Sequence, residues 1–498
     1  MTNELVLPVL IPLLAAVILT FFRESLSVQR LLSFLAAAGS AAVGSHLLLR
    51  VRTEGIVRLD FGGWDPPYGI SFVGDSFALL LVSAAGTVTS LILLYAFSTI
   101  GEAFEKMYVY PLMLFLLAGV NGSFLTGDIF NLFVCFEVML LASYALLVLG
   151  GRKVQLVEAF TYITINVLAS WFFLLAIAYL YGAAGTLNMA HLAVRAAESG
   201  QDPILTVIGL IFLLVFSLKA GLLLYFWLPG SYGAPPAAIA ALFGALLTKV
   251  GIYAMIRLFT LVFNQAPGIT GPLIGGMAAL TLIGGSIGAL SSRDIRQIIS
   301  YNVVIAVGFI LTGLAAGSET ALQGSIYYVL HDMVVKAMLF LAGGLMITLT
   351  GRTRIGEMSG LLRNYPKLGW LFFIAMLSLT GIPPFSGFIG KVLLGEGLIG
   401  AELYLLLALA FLSSLFVLYS LLRIFLNCFM GESIIGEEEQ VPLKKRTLLP
   451  IAALGVLTFA IGIGADWLAP FVNDAAAVLT HPDSYVEAVL GNDAQPGR

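Results

Sequence analysis

Four lysines, two carboxylates and a histidine stand where the sequence carries almost no other charge. Lys219, Lys249, Lys336 and Lys391, with Glu137, Asp332 and His331, all lie inside long apolar runs. Desolvation disfavours a charged ammonium, so a lysine in such a setting can lose and regain a proton near neutral pH. A nearby carboxylate opposes that shift, and moving the carboxylate releases the proton. Arginine stays charged and cannot do this. A histidine, with an unperturbed pKa near 6.5, is a natural relay between such lysines. The set suits proton transfer. It does not suit a metal cage, which wants oxygen ligands.

Spacing sharpens the reading. Asp332 and Lys336 in "HDMVVKAMLFL" are four apart, so they meet on one helix face and neutralise each other, with His331 one step round. Glu137 in "NLFVCFEVMLLASYAL" has no base in its own run, so its partner comes from another. Lys249 lies about twelve residues into its run, roughly 18 Å at 1.5 Å per residue, near a membrane midplane. A lysine there costs roughly 2.5–3.5 kcal/mol on the insertion scale. Four of them cost on the order of 10 kcal/mol, as much as the whole stability of a typical domain. Such residues face a polar interior and mark a functional site, often an ion path.

The elements that hold them are membrane helices. The chain has 498 residues, 59% apolar and 11% charged, with a mean hydropathy of +1.00. That is too little charge for a wet surface, so the sequence predicts an all-α polytopic membrane protein. Fourteen apolar runs are long enough to span: 4–22, 31–49, 75–98, 107–125, 129–150, 157–181, 204–229, 237–263, 272–290, 297–316, 321–349, 368–400, 403–429 and 447–469. The first is read as a retained helix, because no basic segment precedes it. Cys135 and Cys428 have no CxxC spacing, and the four histidines are scattered, so no disulfide framework and no metal site is expected. No nucleotide, flavin or iron–sulfur signature is present, and no cofactor or nucleic-acid partner is expected.

Fourteen of the 25 lysines and arginines fall in loops after odd-numbered runs and five on the opposite side. The positive-inside rule then makes the odd loops cytoplasmic and puts both termini outside. The remaining six are the four lysines, Arg257 and Arg423. The two arginines lie within two turns of their run ends and are expected to snorkel to the headgroups.

Two runs are broken. "LSLTGIPPFSGFIGK" interrupts the twelfth run seven residues before Lys391, and "SLKAGLLLYFWLPGSYGAPPA" breaks the seventh after Lys219. Breaks free backbone carbonyls, which protein or cavity water must satisfy, and often mark an ion path. The runs that follow carry an echo, "YAMIRLF" (253–259) and "YSLLRIF" (419–425). The five-run offset predicts two units, runs 4–8 and 9–13. An odd number of helices per unit makes the second inverted. Lys249 then corresponds to Leu415, so the units differ chemically. The domains expected are 1–106, 107–263, 264–429 and 430–498.

These stretches resemble a known family. "WLPGSYGAPPAAIAALFGALLTKVGIYA", "DIRQIISYNVVIAVGF", "HDMVVKAMLFL" and "GIPPFSGFIGK" look like the antiporter-like subunits shared by respiratory complex I and Mrp-type cation/proton antiporters. The wording "LTGDIFNLFVCFEVMLLASYALLVLGG" and "YFWLPGSYGAPPA" is nearest the D-type subunits of the Mrp antiporters; complex I relatives more often have a WLPDAH-like stretch at 227–232. The resemblance covers runs 4–13 closely. It implies that Glu137 is the family's essential glutamate and Lys219 its charge partner. Lys249 matches the linking lysine, His331 and Lys336 the relay region, and Lys391 the terminal lysine. The family's largest members add a long C-terminal lateral helix; this sequence ends about thirty residues after the last run, which argues against those.

The resemblance implies a proton-translocating subunit of a hetero-oligomeric sodium/proton antiporter in a bacterial plasma membrane, with other membrane subunits as partners, and not an enzyme. The alternative is a proton-pumping subunit of an NADH:quinone oxidoreductase or membrane hydrogenase, whose redox groups would sit on other chains.

Overall fold

The computed structural model describes residues 3–200, 202–434 and 440–491. The architecture is all-α apart from one hairpin. The helices are α1 (Leu7–Phe21), α2 (Leu26–Glu54), α3 (Ser76–Thr99), α4 (Val109–Leu125), α5 (Ile129–Val148), α6 (Lys153–Ala184) and α7 (Pro203–Ala220). They continue as α8 (Ala237–Leu261), α9 (Pro267–Ser291), α10 (Ile295–Ala316) and α11 (Glu319–Thr350). Helix α12 comes in two halves, Pro366–Thr380 and Gly387–Gly400, followed by α13 (Tyr404–Phe429) and α14 (Lys445–Ile463). Among the described residues twelve helices are long and apolar enough to cross a membrane; the shorter α4 and first half of α12 complete the series of fourteen runs.

Polar residues set the ends. Asp75, Asp128, Asp202 and Asp294 each accept a backbone N–H in the first turn of α3, α5, α7 and α10, and Ser318 does so for α11. Each satisfies a donor that the helix leaves orphaned. Asp128 and Asp294 also sit in matching backbone bridges. The strand-like loop before α5 pairs with the loop after α6 through Asp128 and Asn188. The loop before α10 pairs with the loop after α11 through Asp294 and Arg354.

Both expected breaks are present and end alike. Gly221 after α7 and Gly381 after the first half of α12 have φ of 79° and 85°, a left-handed conformation that favours glycine. The amide of the following residue, Leu222 or Ile382, reaches back to the carbonyl of Ser217 or Leu377, closing a Schellman cap. After the first break the chain resumes as a short helix, Leu228–Gly233.

Helices α8 and α11 form the enclosed centre, while one face of α6 and of α13 is exposed. The run-to-run packing is equivalent in two sets: α4 meets α5 and α8, and α9 meets α10 and α13.

Several features go beyond the expected bundle, among them a helix, Met189–Ser199, between α6 and α7. An antiparallel hairpin, β1 (Val57–Asp60) and β2 (Ser71–Gly74), fills the loop between α2 and α3. The segment expected as a tail folds into α15 (Ala465–Thr480) and α16 (Asp483–Leu490). Phe471 and Val472 of α15 and Tyr485 of α16 are buried, α15 against α3 and α11.

Candidate functional site: a buried charged axis

The axis begins on α5. Glu137 is half-buried. The Ser170 hydroxyl of α6 donates to Glu137 Oε1 at 2.5 Å, and Lys219 Nζ donates to Ser170 Oγ at 3.1 Å. Glu137 and Lys219 therefore meet through a serine and not directly. The Lys219 ammonium also stands 5.1 Å from the centre of the Phe136 ring, a cation–π contact that offsets part of its lost hydration. Lys219 occupies the last turn of α7, where the free carbonyls favour a cation.

The step from Lys219 to Lys249 is a close approach of backbones. A Cβ on Gly251 would lie 2.8 Å from the Ala220 nitrogen, so only glycine lets α8 come this near the end of α7. No bond joins the two ammoniums directly.

Lys249 is fully buried and has two partners. One is Asp332 Oδ2 of α11, at 2.6 Å. The other is the carbonyl of Gly244, at 2.7 Å. Helix α8 makes one π-helical turn at Phe243–Leu247. Such a turn shifts the bonding from i→i−4 to i→i−5 and so upsets the local pairing of carbonyls. Gly244 is glycine for a further reason: a Cβ there would strike the Phe340 ring. Asp332 also pairs with Lys336 at 3.2 Å across one turn. The expected neutralisation of Asp332 by Lys336 is present, but one carboxylate serves two lysines.

His331 faces the break in α12. Its Nδ1 is 2.7 Å from Ser386 Oγ. Thr458 Oγ1 of α14 is 2.5 Å from the hydroxyls of both Ser386 and Ser378. Gly387 packs so tightly on this group that a Cβ would overlap the Ser378 carbonyl and meet His331 Cε1 at 2.9 Å. The axis ends at Lys391, whose ammonium donates to the Thr380 carbonyl at 2.7 Å and to Ser414 of α13 at 2.9 Å. The lysine of the second half thus docks on the carbonyl end of the first. The rings of Phe309 and Tyr328 lie 5.5 and 5.9 Å away.

The structure joins Glu137 to Lys219 at Ser170 and Lys249 to Lys336 at Asp332, with His331 next to Asp332 in the chain; the backbones of α7 and α8 touch between these two groups, and Lys391 lies beyond the break with partners of its own. The two arginines behave otherwise than expected. Arg257 does not snorkel: it is buried, pairs with Asp75 at 2.6 Å and packs against the rings of Phe77, Tyr253 and Tyr485. An ion pair inside the bundle gives it a better partner than headgroups two turns away. Arg423 donates to the carbonyls of Ala289, Leu290 and Ser292, closing the end of α9.

Ser170, Gly244, Ser378, Ser386, Ser414, Thr458 and Asp75 also belong to these networks, and sequence reading did not single them out. Small hydroxyls and glycines are common in membrane helices and carry no mark of their own. Only Asp75 had a signal, an acid directly before an apolar run, and that signal reads as an ordinary helix cap.

Fold and site together define a polytopic α-helical membrane protein with an ionisable axis buried at its centre. Residues 126–417 match the family described as NADH:quinone oxidoreductase/Mrp antiporter, transmembrane. The sequence is 47% identical over 491 residues to the D subunit of the Na(+)/H(+) antiporter of Bacillus subtilis (strain 168), covering 98% of this chain and 100% of that one. Among solved structures, a chain of the Mrp complex from Dietzia sp. DQ12-45-1b superposes with a TM-score of 0.92 at 31% identity, over 99% of this chain and all of that one. A chain of the membrane-bound sulfane sulfur reductase, an archaeal respiratory membrane complex, gives 0.90 at 26% identity, over 98% of this chain and all of that one. The chain belongs to the complex I/Mrp antiporter-like membrane family, among the D-type antiporter subunits.

Proposed function

We propose that this chain is the proton-translocating subunit of a multisubunit sodium/proton antiporter, moving protons along the buried axis. One observation carries the reading: ionisable side chains that are costly at membrane depth are buried together, Glu137 and Lys219 meeting at Ser170 and Lys249 and Lys336 sharing Asp332. Glu137 and Lys219 form the first coupled pair, through Ser170. Lys249 links the halves by sharing Asp332 with Lys336. His331, bonded to Ser386 in the break of α12, lies between that centre and the half-helix that carries Lys391. Protonation of one lysine weakens the hold of Asp332 on the other, so charge at one end is felt at the next.

The relatives point to the assembly: other membrane subunits, sodium as the exchanged ion, and a bacterial cell membrane. The basic loops favour both termini on the outside. The matching loop bridges, the matching Schellman caps and the closure of α4 on α8 and α9 on α13 support two inverted five-helix units, 107–263 and 264–429, flanked by 1–106 and 430–498. The separations Asp128 to Asp294, Asn188 to Arg354 and Tyr253 to Tyr419 are equal, as a repeat requires.

The test is exchange in everted vesicles from cells lacking the native subunit. Glu137→Ala and Lys219→Ala are each expected to abolish proton-driven sodium exchange while the complex still assembles; normal exchange in either rejects the reading. The likeness to a respiratory membrane complex favours one second reading, a proton-pumping subunit of a redox enzyme. Copurifying iron–sulfur or flavin proteins would select it; membrane subunits alone select the antiporter.

A further inference from the structure

The proposed axis needs a way in, and one face of α6 supplies it. Glu158, Tyr162, Asn166 and Ser170 recur every four residues. They form a polar row about 18 Å long at 1.5 Å per residue, ending at the serine that joins Glu137 to Lys219. Tyr162, Asn166 and Ser170 are all buried. A polar row inside a membrane bundle is costly unless its members are hydrogen-bonded, and Asn166 Nδ2 donates to the Tyr162 carbonyl at 2.9 Å.

At the start of the row Glu158 is half-buried. It lines a cavity of about 340 Å³ with Pro229, Gly230, Arg152, Lys153, Asp294 and Arg296, among others. The two arginines are occupied elsewhere: Arg152 donates to the Ala234 carbonyl at 2.8 Å and Arg296 to the Gly233 carbonyl at 3.2 Å. Among the described residues Glu158 has no ion pair and its carboxylate no hydrogen bond. The carboxylate lies against the backbone of the short helix after the break in α7, where a Cβ on Gly230 would collide with it.

Further along, the Tyr162 hydroxyl is 2.9 Å from Ser143 Oγ of α5. The Tyr232 hydroxyl is fully buried and has no hydrogen-bond partner among the described residues, and its ring and that of Tyr162 both pack on Trp227 and Phe243. The Tyr144 hydroxyl also lacks a partner among the described residues, and its ring centre lies 5.5 Å from that of Tyr162. Two buried hydroxyls without partners among the described residues thus belong to rings packed around Tyr162. Packing alone does not account for them, because a buried unpaired hydroxyl costs free energy.

We propose that protons reach the Glu137–Ser170–Lys219 cluster along this face of α6, entering at Glu158 and passing through the hydroxyls around Tyr162. Glu158 takes a proton from solvent in the cavity and gives it to the row; each hydroxyl accepts one proton as it gives up its own, so no net charge is left behind. The inference rests on the proton-translocating reading above. In the orientation proposed there, the cavity opens to the cytoplasm.

The test uses the full complex in everted vesicles. Glu158→Gln keeps the shape and removes the proton site. Exchange should fall by roughly a hundredfold, the low side of what a positioned acid–base group contributes, and Glu158→Asp should restore most of it. Tyr162→Phe, which keeps the ring, should also slow exchange. Arg152, Lys153, Asp294 and Arg296 face the carboxylate and remain, so the loss of the Glu158 limb from the rate–pH profile reports the carboxyl itself. The Glu158→Cys variant, with Cys135 and Cys428 replaced by serine, should react with an impermeant thiol reagent from the side of the α5–α6 loop only. Wild-type rates and pH profile in both Glu158→Gln and Tyr162→Phe overturn the proposal, as does a Glu158→Cys variant that never reacts. If Glu137→Ala is dead while Glu158→Gln is normal, the entry route alone is wrong; if both are normal, the translocation reading falls first.

Discussion

Lys249 of α8 and Asp332 of α11 lie 2.6 Å apart with neither exposed to solvent, and the same carboxylate reaches Lys336 at 3.2 Å. Two ammoniums on one carboxylate leave a net positive charge in the middle of the bundle. Asp332→Asn should therefore be worse for the fold than Lys249→Met. It strands two cations, whereas the lysine variant leaves Asp332 still paired with Lys336. Breaking a buried pair costs about 3–5 kcal/mol. Thermal unfolding of the detergent-solubilised complex should show the larger drop for the aspartate variant; the reverse order would show that Lys336 has another sufficient partner.

Lys249 should also act as a proton carrier. Lys249→Met is expected to lose proton-coupled exchange with assembly intact. Lys249→His should retain part of it with an optimum at lower pH, because imidazole gives up its proton at a lower pH than an ammonium does. Equal activity of the methionine variant and the native chain across pH would make the residue structural.

Ser170 predicts a graded effect. Ser170→Ala removes the hydroxyl between Glu137 and Lys219 but leaves both charges. Exchange should be slowed, not abolished. A double-mutant cycle on Glu137 and Lys219 should show a coupling of about 0.5–3 kcal/mol that shrinks in the alanine background. An unchanged coupling would mean that the two charges meet without the serine.

Arg257 gives a test of fold apart from transport. Arg257→Met strands the Asp75 carboxylate and should destabilise by about 3–5 kcal/mol. Adding Asp75→Asn should recover part of that loss, because the stranded charge is then gone. Paired unfolding measurements decide: full additivity of the two substitutions would show that the 2.6 Å contact carries no energy.

Lys391→Arg keeps the charge and cannot release a proton. It should transport nearly as poorly as Lys391→Ala, with the complex assembled. Gly387→Ala should fail as well, for a steric reason, since its methyl group would enter the space of the Ser378 carbonyl and the His331 ring. Wild-type transport by the arginine variant would make Lys391 a fixed charge and no relay.

The apolar runs were legible because lipid demands about twenty apolar residues from every crossing. The buried lysines were legible for the complementary reason, since each is an exception to that demand. Partners were harder to read. The spacing of Asp332 and Lys336 shows their contact, but nothing in the sequence says that Lys249, far away in the chain, shares the same acid. The π-helical turn that brings the Gly244 carbonyl to Lys249 leaves no local pattern, since glycine and alanine suit either helix. Helices α15 and α16 mix polar with apolar residues and cover the bundle without spanning it, so a search for continuous apolar runs passes over them. The hairpin was available in "VRLD" and "SFVG" on either side of a Gly- and Pro-rich turn.

The docking of Lys391 on Thr380 has a mechanical consequence. The two halves of α12 are riveted together by a side chain whose charge would, on the proposed mechanism, change with each proton passed. While the lysine is an ammonium, it is drawn to the carbonyl end of the first half, an attraction of about 1 kcal/mol, and it also grips Ser414 of α13. Once the proton leaves, the joint keeps only a neutral hydrogen bond and becomes compliant. On that mechanism, departure of a single proton would loosen a hinge between helix halves, and its return would stiffen the hinge again.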